Sequence, residues 1–497
     1  MIRTRQLPQR RPWRWAWRRL RRVDWLNLLF LRYRLLGFLS TLVLSALVGI
    51  GGGWLVAVAG PIVTAALVVA VAGGLWVLRN IEVGYWGLVA VICLLPFGKL
   101  PVEIGLKPSF LDVAIGLLFF VWLTGLVTQP DRPFVTTPLG LPILVFLLLA
   151  VMTFVAGLGH APLTPSVARH FVEVLLNILL FFVVVNSLHR PEQLARLTRV
   201  ILLAGFATAL LGIVLYLLPD SVAIDLLSML GRFDYPVGPG VLRYIRDDPS
   251  LPQRATSTSV DPNVLGGLLI MVGALGAPQL FARRPIFPRR WTALILATVG
   301  ICLVLTFSRG SFIGLGVALV VLALLRYRRL GLLLLLALLL IGLLPVTQTY
   351  VQHFIQGLRG EDLATQMRFG EYRDALTLIG RYPIFGVGFA GSPDIDTYVS
   401  VASVYLLMAV EMGVVGLTAF LVVMAVLFYR AWQAWHRLPR ETLLEPLWWG
   451  FHAAIVGALV GGIFDHYFFN LNFQHSVAFF WLFVGLATVA TEEVMGE

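Results

Sequence analysis

Residues 330–344 have the sequence LGLLLLLALLLIGLL, and this stretch decides the fold class. A strand of a membrane barrel alternates between polar and apolar residues, and no such alternation is present here. Every backbone polar group within lipid has to be satisfied inside the protein, which favours helices. The stretch therefore predicts a membrane-spanning helix.

The composition of the whole chain agrees with this interpretation. The 497 residues are 59% apolar and only 13% charged, with a mean hydropathy of +0.87. Soluble globular domains are typically about a quarter charged. Cys93 and Cys302 both lie in apolar runs and form neither a disulfide framework nor a zinc pattern. These values exclude soluble, disordered, collagen-like and disulfide-scaffold proteins and predict an all-α polytopic membrane protein.

Apolar runs recur along the chain and predict twelve to fourteen transmembrane helices, at roughly 20 residues for each span. We expect residues 35–497 to form a single transmembrane domain. The last three predicted spans cover residues 414–429, 447–464 and 475–492.

The net charge of +12 comes mostly from the first 34 residues, which contain eleven arginines and one acid, Asp24. Their mixture with tryptophan predicts an interfacial tail on the cytoplasmic leaflet. The tail leads directly into a span and lacks a recognised nucleic-acid-binding fold, so no nucleic-acid partner is expected.

The distribution of arginine predicts the orientation of the chain. Four basic loops fall on the same side as the tail if each run spans once, and the positive-inside rule makes that side cytoplasmic. These loops are residues 190–199, 283–290, 326–329 and 430–440. We expect both termini in the cytoplasm and the protein in the inner, or plasma, membrane of a bacterium.

Two long polar segments, residues 219–262 and 350–398, then fall on the external face. Loops of this length are usually functional or disordered. Their tyrosines and Pro-Gly turns predict order, with an amphipathic helix over residues 366–380. We expect the two segments to cover an external cavity.

Two clusters with arginine lie at predicted span boundaries. RATSTSVDPN, residues 254–263, begins with Arg254 and ends in an Asp-Pro-Asn helix start. TFSRGS, residues 306–311, places Arg309 in a short break between two spans, where an arginine is expensive unless it is paired or faces a polar cavity. The alternatives are a surface arginine beside a capped helix for Arg254 and a snorkelling arginine for Arg309.

Three further clusters carry ionisable groups near the external face. RFGEYRDAL, residues 368–376, contains Arg368, Glu371 and Arg373, and it is either a ligand-binding surface or a lid with internal ion pairs. Glu411 lies in apolar sequence, so its carboxylate is either paired with an arginine or placed at a cavity. His466, in the sequence FDHYFFN, is either a proton carrier or an interfacial residue.

Motifs of soluble nucleotide and metal enzymes are missing from the sequence. It has no Walker A loop, no HExxH and no CxxC pair. We therefore predict no ATP coupling in this chain, no metal and no cofactor.

The ordered motifs resemble those of the bacterial O-antigen ligase and O-antigen polymerase family. They are RATSTSVDPN (254–263), FSRGS (307–311), RFGEYRDAL (368–376), YPIFGVGF (382–389) and YLLMAVEMGVVGL (405–417). The resemblance implies a fold related to the C-type membrane glycosyltransferases. It also implies inverting, metal-independent transfer of a glycan from a polyprenyl diphosphate donor, at the external face, to the hydroxyl of a glycan or lipid-glycan acceptor.

The resemblance also implies roles for particular residues. The resemblance assigns diphosphate binding to four arginines: Arg254, Arg309, Arg368 and Arg373. Guanidinium groups bind phosphate oxygens bidentately and keep their charge at neutral pH, which agrees with this assignment.

The general base is left open by one departure from the family pattern. Many members have a His-Asn pair where this chain has Ala402 and Ser403. The remaining candidate bases are four ionisable residues: Glu411, Glu371, His466 and Asp396.

Ligase and polymerase activities both remain open, and two other functions compete with glycan transfer. One is a transporter or flippase for a lipid-linked glycan or a small anion, which would place ionisable residues at mid-membrane in broken helices. The other is an inactive scaffold in a polysaccharide assembly complex, which is consistent with the missing histidine.

Overall fold

The structure of the protein is a computed structural model. It describes residues 34–60, 64, 72–101, 107–128, 134–343, 348, 351–352, 355, 359–360, 363–391 and 401–496. Almost all of the predicted interfacial tail, at residues 1–33, lies outside the described residues. So do Asp396 and parts of the second long polar segment.

The described residues belong to two compact units, Met1–Trp76 and Val77–Glu497. The first unit contains α1 (Arg34–Ala59), an apolar helix of 26 residues.

The second unit is a helical bundle with one small β-ribbon. Its longer helices are α2 (Ile81–Leu94), α3 (Phe110–Thr128), α4 (Gly140–Gly157), α5 (Pro165–Ser187), α6 (Pro191–Leu217), α7 (Asp220–Ser228), α8 (Pro262–Gly276), α9 (Arg289–Leu305), α10 (Arg309–Leu325), α11 (Arg328–Leu343), α12 (Leu363–Arg381), α13 (Val404–Trp435), α14 (Leu444–Gly461) and α15 (Gln474–Met495). Strands β1 (Arg243–Tyr244) and β2 (Gln253–Arg254) pair antiparallel, with Arg243 opposite Arg254. Short 3-10 turns cover Met229–Phe233, Pro239–Val241, Ile245–Asp247 and Ala277–Leu280.

The helices confirm the all-α polytopic fold. Among the described residues, seven helices are long and apolar enough to cross a membrane, namely α3, α4, α5, α6, α8 with its 3-10 extension, α13 and α15. Apolar helices of 14 to 18 residues, such as α2 and α14, accompany them. The full number of twelve to fourteen spans stays a prediction.

Helices α8 and α15 form the centre of the bundle. In each, 89% of the residues in the most apolar window are buried, compared with 17% in α3. Small residues allow helices to approach closely here, as is common between membrane helices. A Cβ atom added to Gly314 of α10 would lie 2.7 Å from the carbonyl oxygen of Gly457 in α14.

The two ends of the bundle differ in their polar groups. At the end that we call the basic end, Arg199 joins two of the predicted basic loops by donating to the carbonyl oxygen of Ile286. Arg326, in a third basic loop, pairs there with Glu445 in the first turn of α14. The opposite end, called the loop end, carries residues 219–261 and α12. Both of the long polar segments therefore contribute described residues to one end.

Helix α13 is broken at Gly413, which adopts φ +67°. The sequence predicts a span only from residue 414, because Glu411 interrupts the apolar run, but the helix begins ten residues earlier, at Val404. Residues 383–388 lie against the break and satisfy its backbone. Their hydrogen bonds to α13 are Val387 N–H to Val410 O (2.8 Å), Gly388 N–H to Glu411 O (3.0 Å), Val414 N–H to Pro383 O (2.8 Å) and Val415 N–H to Ile384 O (3.5 Å).

The packing of α10 on α14 gives a direct prediction. We expect Gly314→Ala to lower the thermal stability, because the new methyl group meets backbone that cannot move aside, and overpacking typically costs about 1–3 kcal/mol. The matched control is Gly316→Ala on the same helix, where a Cβ atom has no neighbour within 4 Å. Thermal unfolding in detergent checks both variants, and an equal melting temperature for the two would contradict the close packing.

Candidate functional site

Arg254 ends strand β2 at the loop end and holds two other segments. Its Nε donates to the carbonyl oxygen of Thr306 (2.8 Å), and its Nη2 donates to Oδ1 of Asn263 (2.8 Å). Asp261 caps α8 by accepting from the backbone N–H groups of Asn263 and Val264, which confirms the helix start predicted from Asp-Pro-Asn. Arg254 thus joins the RATSTSVDPN motif to the TFSRGS motif.

Both motifs contain strained backbone. Ser257 and Val260 have φ values of +51° and +60°, and Phe307 has φ +51°. A left-handed conformation is unusual for a residue with a β-branched or bulky side chain, and each such residue costs on the order of 1–3 kcal/mol. Surrounding contacts have to maintain this conformation, and strain of this kind is common at functional sites.

Arg309 is the first residue of α10, in the turn that Arg254 contacts through Thr306. Its side chain is half-buried. The next residue, Gly310, packs on Phe464, with 2.7 Å between an added Cβ atom and Cβ of Phe464. The start of α10 therefore lies between Arg254 and the turn that precedes α15.

Asp465 lies in that turn and faces one of the predicted site arginines. Its Oδ2 is 3.8 Å from Nη2 of Arg368 on α12. Its backbone oxygen accepts from the N–H of Val404, the first residue of α13. One turn therefore contacts α10, α12 and α13.

Electrostatic effects show that these charges share one environment. Burial lowers the pKa of Arg254 to about 10; Asp261, Asp465 and Asp247 oppose the shift, and Arg368 adds to it. Burial raises the pKa of Asp465, while His466 and Arg368 act to lower it. Arg368 and the half-buried Asp465 thus both act on Arg254, as expected where an anionic ligand is to be bound.

Helix α12 is attached to the residues just before α13. The N–H of Ala402 donates to Oε2 of Glu371 (3.1 Å), and the hydroxyl of Tyr372 donates to the carbonyl oxygen of Ala402 (3.1 Å). Arg368 lies four residues before Tyr372 and therefore on the same face. The position at which many family members have histidine thus lies under the face of α12 that carries Arg368.

Of the other predicted site residues, Glu411 and Arg373 lie in different surroundings, whereas His466 is next to Asp465, with 3.9 Å between its Nδ1 and Oδ1 of Asp465. Glu411 is buried at the break in α13, where its Oε2 has no hydrogen-bond partner among the described residues. The ring of His466 stacks on Phe473, with 5.9 Å between the centroids. Arg373 is exposed. It follows Arg368 by five residues, which corresponds to a rotation of about 140° around the helix, so the two side chains lie on different faces.

A cavity of about 600 Å³ opens at the loop end beside the turn of Asp465. Two aromatic rings connect the cavity to this turn. Phe97 lines the cavity and contacts Phe473, with 6.2 Å between the ring centroids, and Phe473 in turn contacts His466. Its wall contains charged groups that are paired, since Arg169 contacts Asp112 at 2.8 Å and Glu173 at 2.6 Å. Hydroxyl and amide groups also line it, namely those of Ser109, Thr164, Ser166, Asn472 and Gln474.

Within the described part of the chain, no group of three or more His, Cys, Asp or Glu side chains is arranged to hold a metal ion.

Asp465 is the site residue that sequence reasoning overlooked. The sequence FDHYFFN at residues 464–470 drew attention to His466 as a proton carrier. The available signal was a carboxylate among aromatic residues at the end of a span, which is expensive unless it is paired.

The fold and the site define a polytopic membrane protein with an arginine-rich site at one end of its bundle. Residues 293–421, 129 of the 497, match the family model described as O-antigen ligase. This match confirms the predicted resemblance to the O-antigen ligase and polymerase family. The matched residues include Arg309, Arg368 and Glu411 but not Arg254 or Asp465. No match was found among curated proteins.

This resemblance supports a role in ligating or polymerising glycans in envelope polysaccharide synthesis.

The contacts of Arg254 give a prediction about stability. We expect Arg254→Lys to lower the free energy of unfolding by about 1–3 kcal/mol, because an ammonium group cannot donate to Thr306 and Asn263 in the same fork geometry. Thermal unfolding in detergent checks this, with Arg232→Lys as the control at an exposed arginine of the same segment. Unchanged stability in Arg254→Lys would contradict a structural role for the two hydrogen bonds.

Proposed function

We propose that the protein transfers a glycan from a polyprenyl diphosphate carrier to a sugar hydroxyl, and that the reaction takes place at the loop end. The observation that carries the proposal is the half-buried Asp465 beside Arg368, with Arg254 and the start of α10 around it. An arginine-rich site of this kind, at the end of a membrane bundle, suits a diphosphate whose lipid tail stays in the bilayer.

In this proposal, Arg254, Arg309 and Arg368 bind the diphosphate. Guanidinium groups hold its oxygens bidentately and stabilise the negative charge that grows as the glycosidic bond breaks. Arg254 keeps its proton at neutral pH even though burial lowers its pKa to about 10. Arg373, on the exposed face of α12, is an outer contact for the same group.

The proposed reaction is an inverting displacement. The acceptor hydroxyl oxygen forms a bond to the anomeric carbon, and the bond from that carbon to the diphosphate oxygen breaks. The leaving electron pair stays on the diphosphate, next to the arginines, and the hydroxyl proton passes to a carboxylate.

Asp465 is our first candidate for that carboxylate, because its Oδ2 lies 3.8 Å from Nη2 of Arg368 and its charge also acts on Arg254. Burial raises its pKa, which makes the ionised form a better proton acceptor. Glu371, Glu411 and His466 remain alternatives, but Glu371 already accepts a hydrogen bond from Ala402.

The neighbouring cavity is the proposed place for the sugars. Its volume of about 600 Å³ and its lining of hydroxyl, amide and aromatic groups suit a carbohydrate. The aromatic rings of Phe97 and Phe473 connect it to the turn of Asp465.

The distribution of arginine supports an external position for the loop end. Basic loops lie at the opposite end, and the positive-inside rule assigns that end to the cytoplasm. We therefore infer that the reaction takes place on the external face of the inner membrane and that both termini are cytoplasmic.

Transport is the second candidate function, and the break in α13 is the observation that favours it. Broken helices with a buried ionisable group such as Glu411 are typical of transporter sites. Here the backbone of residues 383–388 occupies the break, which leaves the arginine-rich end as the better candidate for chemistry.

The activity test uses purified protein in lipid with a polyprenyl diphosphate oligosaccharide labelled in the glycan. We expect release of free polyprenyl diphosphate, and we expect Arg309→Ala to reduce it at least a hundredfold, as for the loss of a group that stabilises transition-state charge. The control, Arg232→Ala, removes an exposed arginine from the loop end and should remain active.

The products of the same assay distinguish the candidate functions. Longer carrier-linked glycans identify a polymerase, and release that depends on an added acceptor identifies a ligase. Movement of the intact donor across the bilayer without release would contradict glycan transfer and support a transporter. A wild-type protein that gives neither release nor movement while polysaccharide output in cells still requires the chain would support a scaffold.

The pH dependence tests the base. We expect the rate to fall on acidification at a higher pH than for an ordinary aspartate, because burial raises the pKa of Asp465 and only the ionised form accepts a proton. Asp465→Asn should lower the rate about 10²–10⁴-fold and remove this dependence. The same measurement is made on Glu371→Gln, Glu411→Gln and His466→Gln. If the fall in rate on acidification disappears in one of these variants and not in Asp465→Asn, the base is that residue.

A further inference from the structure

The basic end of the bundle contains a cleft of about 540 Å³ that the proposed function does not use. It lies between the start of α9, the turn from α10 to α11 and the loop before α14. Six arginines line it: Arg283, Arg289, Arg326, Arg328, Arg329 and Arg440. Two glutamates, Glu441 and Glu445, also line it, so its formal charge is +6 − 2 = +4.

The two glutamates hold two of the cleft arginines in place through hydrogen bonds and ion pairs. Glu445 is buried, and its Oε1 accepts from Nε of Arg326 at 2.6 Å, while its Oε2 accepts from the N–H of Glu441 at 2.6 Å. Glu441 in turn pairs with Arg283 at 2.5 Å and is held at φ +67°. Both carboxylates are therefore engaged inside the cleft.

The remaining arginines are left without carboxylate partners. Among the described residues, Arg328, Arg329 and Arg440 form no ion pair, and Arg289 donates only to the carbonyl oxygen of Ala282. Several guanidinium groups converging on one concave surface match the oxygens of a phosphate group.

The surroundings of the cleft indicate where such a phosphate comes from. Leu324 and Leu332, on the two helices that meet at the cleft, are 75% and 68% exposed. Trp291, two residues after Arg289, is also exposed, as is common for tryptophan at the membrane interface. An apolar surface of this kind suits acyl chains below a headgroup.

We propose that this arginine cleft binds the phosphate of an anionic phospholipid. Basic pockets between membrane helices on the cytoplasmic side are known to hold lipid headgroups. The positive-inside rule accounts for arginines near these helix ends, but it requires neither a concave arrangement nor a buried glutamate that orients Arg326. The proposal is independent of the chemistry at the loop end.

The test compares two double variants that remove the same charge. Arg328→Gln/Arg329→Gln changes exposed residues that line the cleft, and Arg284→Gln/Arg290→Gln changes exposed arginines at the same end that do not line it. The full chain is placed in phosphatidylcholine nanodiscs with or without 30 mol% phosphatidylglycerol, at constant ionic strength. Thermal stability and retained lipid, measured by native mass spectrometry, are the readouts, and phosphatidylcholine alone reports whether each variant folds.

We expect phosphatidylglycerol to stabilise the wild type and to remain bound. The cleft variant should lose roughly thirtyfold in lipid affinity, and the control variant should keep it. Equal losses in both variants, or no preference of the wild type for phosphatidylglycerol, would overturn the proposal. Equal stabilisation by inorganic phosphate in phosphatidylcholine alone would overturn the lipid assignment in favour of a soluble phosphate.

Discussion

Backbone hydrogen bonds between residues 383–388 and the break in α13 hold the site-bearing helix α12 in its place. A helix interrupted within a membrane bundle leaves peptide groups that water cannot satisfy, so another part of the protein has to bond them. The segment that follows α12 does so through Val387, Gly388, Pro383 and Ile384. A Cβ atom on Gly386 would lie 2.7 Å from the backbone nitrogen of Gly413, so the close approach depends on glycine. The position of Arg368 above the end of the bundle follows from this attachment.

The second constraint is the balance of charge around Asp465. A lone carboxylate or guanidinium group removed from water is unfavourable, and breaking a buried pair by removing one partner is costly. Arg368 and Asp465 are 3.8 Å apart, which is longer than a close ion pair, and Arg254 gives its hydrogen bonds to Thr306 and Asn263. The guanidinium groups are thus oriented by neutral or weakly paired partners, which leaves charge available for an anion. At the basic end, Arg283 and Arg326 are instead closely paired with glutamates, and the charge available for an anion comes from the other arginines of the cleft.

Sequence patterns were sufficient for the class of fold and for the family resemblance. The apolar runs predicted an all-helical membrane protein, and the ordered motifs predicted a resemblance to the O-antigen ligase family, which the match over residues 293–421 confirms. For the site, the sequence predicted Arg254, Arg309 and Arg368 as one group, and the structure brings their segments together around one turn. The roles of these residues stay predictions. Asp465 was overlooked because its importance comes from Arg368, which is 97 residues away in the chain.

By itself, the sequence determined that this chain is a helical membrane protein, because hydropathy and helix length depend only on local composition. It also determined where the long polar segments occur, since charge and turn residues interrupt the apolar runs. Only the tertiary structure decided that α13 continues through Glu411 and Gly413, because the bonds that satisfy its break come from residues 383–388. Only the tertiary structure also decided which carboxylate lies beside the arginines and which arginines share a cleft at the basic end. These arrangements depend on contacts between distant segments, and such contacts leave no periodic signal in the sequence.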